Sequence, residues 1–213
     1  FGIGWTGAST AGGQTIETDY RLAASFYARS QWELSESAFL NIMERYPESR
    51  RVVLAQFYLG ESHVQQGEHR EAIDALTQVL SRAPDHALAG RAAFRIGESA
   101  AAIGDNNLAV RSLESFVRDF PDHELVEHAL PLLGRVRLDR NEASLARRVF
   151  ETSLDLYPNS DFVFANRLGL ARSYRMLEQD DEAIRLLRHV VDGRDHGSAR
   201  AARAELSALL FHQ

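Results

Sequence analysis

Apolar residues return at three- and four-residue steps through most of the chain. The clearest stretch holds Ala72, Leu76, Val79 and Leu80, which fall on one side of a helix. That stripe predicts an amphipathic helix from His69 to about Arg82, preceded by another from Val53 to about Gln66. Gly67-Glu68 separates them, because glycine accepts the backbone conformation that ends a helix. Pro84 stops the second, since proline has no amide to donate and clashes with the preceding turn. The unit is a pair of helices, A then B.

The pair recurs. Pro47, Pro84, Pro121 and Pro158 are each 37 residues apart. So are Gly60, Gly97 and Gly134, and so are Ala72, Ala109, Ala146 and Ala183, with Ser35 in the slot before them. Residue types locked in one phase define a repeat. The small residues lie where helices A and B must approach: Gly60 on one, Ala72 on the other. The loops read Pro-Glu-Ser, Pro-Asp-His, Pro-Asp-His and Pro-Asn-Ser, supplying side chains that accept bonds from the free amides of the next helix.

The run Leu59-Gly60-x-x-His63-x-x-x-Gly67-x-x-x-x-Ala72-x-x-x-Leu76-x-x-Val79-x-x-x-x-Pro84 resembles the tetratricopeptide repeat. The same frame gives Leu22-Ala23, Phe26, Ser35, Phe39, Ile42 and Pro47 in the first unit. It gives Ile96-Gly97, Gly104, Ala109, Leu113, Phe116 and Pro121 in the third, and Leu133-Gly134, Ala146, Phe150 and Pro158 in the fourth. The fifth has Leu170-Ala171, Tyr174, Ala183, Leu187 and Val190, with Asp195 in place of the proline. The resemblance implies an all-α fold, a right-handed α-α solenoid of five helix pairs plus a C-terminal capping helix. Expected boundaries are 1–15 for a flexible tail or linker and 16–197 for the repeats (about 16–50, 51–87, 88–124, 125–161 and 162–197). Residues 198–213 form the cap or the first half of a sixth unit, with Ala202, Leu206, Leu209 and Leu210 as its apolar side.

The period exceeds the family's usual length of about 34 residues. Endings such as Arg45-Tyr46-Pro47 and Leu156-Tyr157-Pro158 are similar to a long-repeat variety common in bacterial envelope proteins. That likeness implies a place in the periplasm or at the outer membrane. Residues 1–15 carry five glycines and no helical period, and Phe1, Ile3 and Trp5 alternate as in a short strand. The Phe1 start is that of a processed or excised piece, with a signal sequence among the segments that could precede it.

Charge narrows the partners. The net charge is −6, with 24 basic residues, all arginine. That balance opposes nucleic acid as a partner, which needs a concentrated basic surface. The longest apolar runs fall short of the roughly 18 residues of a membrane span. With no cysteine in the chain, disulfides, thiolate metal sites and cysteine nucleophiles are excluded.

Candidate chemistry is thin. His123 and His128 stand five apart, about 140° around a helix, so they diverge where a zinc motif needs a four-residue step. His63 occupies a place where the family usually has tyrosine and is expected to be packed and hydrogen-bonded. Gly60-Glu61-Ser62-His63 lacks the nucleophile-elbow pattern, and the glycines of 7–13 lack the phosphate-loop ending. No catalytic residue, cofactor or metal is expected. Asp180-Asp181-Glu182 begins a helix, where negative charge favours the dipole.

The resemblance instead implies a groove lined by the A helices that receives a protein or peptide. Its positions give Tyr20, Tyr27, Phe57 and Phe94 as aromatics, either binding anchors or packing against the next helix. Acidic Glu61 and Glu98 are succeeded at the same helix position by Arg135 and Arg172, with Arg175 one turn on. The expectation is a scaffold holding an amphipathic peptide or helix, its acidic end near the three arginines. The plainer alternative pairs those arginines with local acids such as Asp139. A second class, a non-catalytic regulatory or substrate-binding arm of a larger enzyme, stays open. Pro131 either kinks helix A of the fourth unit or stands in its first turn, if that helix starts near Leu130.

Overall fold

The computed structural model describes residues 15–193 and 195–211. The alternation at Phe1, Ile3 and Trp5 and the proposed tail lie outside them. The first pair is α1 (Ile16–Ala28) and α2 (Trp32–Arg45), followed by α3 (Arg51–Gln66) and α4 (His69–Arg82). The third is α5 (Ala89–Ala102) with α6 (Asn106–Asp119), and the fourth α7 (Val126–Asp139) with α8 (Ala143–Leu156). The fifth is α9 (Val163–Met176) with α10 (Asp180–Val191), and α11 (His196–Phe211) closes the array. Each helix packs on the next, and each A helix also meets the A helix of the following unit. The result is an all-helical repeat solenoid.

The seams follow from the small residues. A Cβ added at Gly60 would stand 2.6 Å from Leu76 Cγ, and one at Gly97 2.7 Å from Leu113 Cγ. At Gly134 it would meet Phe150 Cε1 at 2.6 Å. The glycine in helix A is therefore a socket for the large apolar residue of helix B. Ala72, Ala109, Ala146 and Ala183 are all fully buried on the facing side.

Helix stops and starts repeat as strictly. Tyr46, Ala83, Phe120 and Tyr157, each before a proline, have φ between −128° and −149° and ψ between 50° and 68°. Proline's Cδ excludes the helical region for its predecessor. Two residues past each proline, Ser49, His86, His123 and Ser160 accept a bond from the amide two positions on, at 3.0–3.2 Å. Both histidines accept through Nδ1, which fixes the proton of the neutral ring on Nε2.

The turn from A to B is left-handed in every unit. Ser30, Gly67, Gly104, Asn141 and Glu178 have φ of 57°, 78°, 76°, 59° and 60°. They are 37 residues apart, yet glycine, which adopts this conformation without strain, fills only two of the slots.

Two expectations change. Pro131 lies inside α7, which begins at Val126, so the start near Leu130 is corrected: Pro131 is in the second turn and the helix continues through it. Its missing amide leaves the Glu127 carbonyl without its usual partner four residues on. The last helix begins at His196 rather than 198. In the repeat frame α11 is a sixth helix A, with Ala202 buried and Leu206 and Leu209 packed near Leu187 and Val190 of α10. Leu210, assigned to its apolar side, is 46% exposed.

Candidate functional site

The A helices carry the candidate groove residues, and the first three units close over several of them. Glu61 is fully buried. Its carboxylate accepts from Arg91 Nη2 at 2.8 Å and Arg95 Nε at 2.8 Å, and from the Tyr27 hydroxyl at 3.4 Å. A carboxylate out of water needs such partners. Burial, reinforced by the negative charge of Glu61, pushes the Tyr27 phenol up to about 12. Burial works to lower Arg95, but Glu61 and Glu98 outweigh it and hold the guanidinium above its ordinary value.

Phe57 is fully buried beneath the Arg91 guanidinium, 5.5 Å from its ring centroid. Phe57 and Glu61 therefore support the groove from below, and the expectation that a partner touches them directly is corrected. The reason is that Arg91 and Arg95 reach back from the next helix and cover both. Tyr20 and Tyr27 are half-buried, each set edge-on to Tyr58, which stacks on Phe39. Their first role is to pack successive units.

Beyond this charged knot the concave face opens. A cavity of about 690 Å³ lies across α5, α7 and α9 and reaches Ser198 of α11. Its apolar surface comes from Phe94, Leu138, Phe150 and Leu168 among others, and its charged lining from Arg95, Glu98, Arg135 and Arg172. The structure thus gathers Phe94, Glu98, Arg135 and Arg172 of the expected groove set. Arg175 stands apart from that lining but beside it, sharing an acid with Arg172.

That acid is Glu205 of α11, 2.7 Å from Arg172 Nε and 3.6 Å from Arg175 Nη1. Glu98 is held by Arg95 Nη1 at 2.6 Å. Arg135 is exposed and has no ion pair or hydrogen bond among the described residues, with Asp139 or any other acid.

Two sequence departures shape this cavity. Phe150 stands where the flanking units have Leu113 and Leu187, as Phe39 does in the first unit, and its ring fills the space left by two glycines. A Cβ at Gly169 would lie 2.3 Å from Phe150 Cζ, as close a conflict as at Gly134. The second departure is a polar seam. Ala55, Ala92 and Ala129 face Ile42, Val79 and Phe116 in the repeat frame, while the fifth A helix has Asn166 facing Ser153. Asn166 Nδ2 donates to Ser153 Oγ at 2.9 Å, the residue is fully buried, and its Oδ1 has no partner.

The histidines behave structurally. His123 is edge-on to Phe116, and His128 is edge-on to Phe162 at the cavity wall. His63 Nδ1 lies 2.6 Å from Glu68, and these with Glu36 place metal-type donor atoms within 4.8 Å of one another. The equivalent positions two units on identify the link as a tie across the A–B turn. Arg137 bonds Glu142 at the same five-residue step, and arginine ligates no metal.

Tyr58, Arg95, Asn166, Phe150 and Glu205 are the contributors that sequence reasoning passed over. Asn166 carried a legible signal, since it interrupts the run of Ala55, Ala92 and Ala129. Glu205 occupies the column of Phe57, Phe94 and Leu168, in a helix whose reading as a cap or half-unit assigns it no groove positions.

Comparison with known proteins agrees with this architecture. Two family models, each described as tetratricopeptide repeat, match residues 14–85 and 57–124, together just over half of the chain. No curated protein matches. Among solved structures, a tetratricopeptide repeat protein from Parabacteroides merdae superposes with a TM-score of 0.78 at 20% identity, over 93% of this chain and 74% of that one. MamA from Desulfovibrio magneticus gives 0.71 at 17% identity, over 84% and 95%. A putative kinesin light chain with nearly identical repeats, from Podosopora anserina, gives 0.64 at 18% identity, over 91% and 96%. At these identities the likeness is one of fold, and with the matched family models it supports one assignment: the chain belongs to the tetratricopeptide repeat family.

Proposed function

We propose that this protein is a binding scaffold that holds a segment of a partner protein on its concave face, in the cavity between α5, α7 and α9. Tetratricopeptide arrays bind proteins or peptides and are generally not catalytic, which gives the class. The observation that carries the site is the cavity itself. Its volume of about 690 Å³ is in the range of pockets that bury a ligand. It combines an apolar floor with a charged rim, the composition of a recognition surface.

The partner-contacting residues of this reading are Phe94, Glu98, Arg135 and Arg172, with Arg175 beside them. Tyr20 and Tyr27 extend the half-exposed surface toward the first unit. Phe57 and Glu61 contribute through the helices they hold together.

The test is selection of a displayed random-peptide library on the whole chain, followed by affinity measurements on two variants. Ala165 is exposed on the cavity wall, and Ala165→Trp fills the space. Arg148 is exposed on α8, outside the cavity lining, and Arg148→Trp is the control. Peptides that lose binding to the first variant and keep it for the second support the cavity. Peptides indifferent to Ala165→Trp overturn it.

A further inference from the structure

We infer that the cavity selects a peptide segment with one acidic side chain beside a large apolar one, Arg135 being the ion partner of the acid. This rests on the scaffold reading and adds the chemistry of the occupant.

The charges around the cavity leave one vacancy. Arg91 and Arg95 close on Glu61, and Arg95 also holds Glu98. Arg172 and Arg175 share Glu205. Arg135 remains, exposed in the lining, with no acid among the described residues within ion-pair distance. A basic side chain entering the cavity meets Glu98 already engaged, whereas an acidic one meets a free guanidinium. Arginine suits this role, presenting a planar fork of donors to a carboxylate.

Glu205 shows that this face accepts a carboxylate. It stands on the next A helix and bridges arginines at the column positions of Arg135 and Leu138 one unit on. In the fourth unit the corresponding acid is missing, because Leu168 occupies the place that Glu205 holds in α11. Leu168 instead adds to the apolar wall formed with Phe94, Leu138 and Phe150, which takes the large apolar side chain.

The experiment uses peptides selected on the whole chain and sensitive to Ala165→Trp, with affinities read by fluorescence anisotropy. The expected result is enrichment of an Asp or Glu close to an aromatic or branched aliphatic residue. Arg135→Glu should weaken these peptides about tenfold or more, and exchanging the peptide's acid for Lys should restore binding to Arg135→Glu alone. Cavity-bound peptides without an acid, indifferent to Arg135→Glu, overturn the inference and leave the scaffold reading standing. Peptides indifferent to Ala165→Trp overturn both.

Discussion

Arg95 Nε donates to Glu61 Oε1 across 2.8 Å, joining the A helices of the second and third units through a carboxylate that has no exposed surface. Arg91 and Tyr27 complete the shell, so one acidic side chain links three successive units.

Replacing Glu61 with Gln keeps the shape and removes the charge. Arg91 then loses its counterion, and Arg95 keeps only Glu98. Breaking a buried pair from one side costs roughly 3–5 kcal/mol, and the partial exposure of Arg91 reduces this to about 2–3 kcal/mol. Urea denaturation measures it. A loss under about 0.5 kcal/mol, the level of a surface change, contradicts the structural role.

Alkaline pH should strip stability through Tyr27. Its phenol ionises at about 12 in the folded chain against about 10 in a free tyrosine. The folded state therefore holds the proton more tightly. The contribution is complete below pH 10 and is lost as pH rises from about 10 through 12. Burial raises Tyr20 and Tyr174 as well, so the decline is shared. Tyr27→Phe should make the fall shallower, in denaturation midpoints taken across that window.

The left-handed turns offer stabilising changes. Glu178 has φ of 60°, a conformation that costs a residue with a Cβ about 1 kcal/mol. Glu178→Gly should gain about 0.5–1 kcal/mol, as should Ser30→Gly. Asn141→Gly should gain less, because asparagine tolerates the region. Thermal melting distinguishes the three.

Phe150 and Gly169 should be coupled. Gly169→Ala places a methyl 2.3 Å from the Phe150 ring and should cost about 1–3 kcal/mol. In a Phe150→Leu background, which restores the residue of the neighbouring units, most of that added cost should vanish. A double-mutant cycle reads the interaction directly.

The Asn166–Ser153 seam should be replaceable without loss of stability. Asn166→Ala combined with Ser153→Val copies the Ala92–Val79 seam of an earlier unit. Replacing both polar partners by apolar ones is neutral to stabilising, so the melting temperature should hold or rise.

Much of this architecture was legible because each repeat carries its own instructions. Gly60, Ala72 and Pro84 each mark one physical event: a close approach, a facing small residue, a helix stop. Their columns also gave the right helix pairing. What stayed hidden depends on residues reaching between units. Phe57 and Glu61 occupy groove columns, but two arginines of the following helix seal them, and a column taken by itself does not register its neighbour. Ser30 and Glu178 hid the left-handed turn because strain at those points is borne by packing on either side. Arg172 and Arg175 pointed to an acid outside the chain, and α11 supplied one from within.

The unpaired Arg135 has a consequence for register. A solenoid of near-equivalent units offers a bound chain several interchangeable settings, each shifted by one repeat and similar in energy. An arginine that, alone among those lining the cavity, has no acid among the described residues lifts that degeneracy. A guest carrying the matching acid has one setting in which it is satisfied, so this irregularity fixes its position along the array.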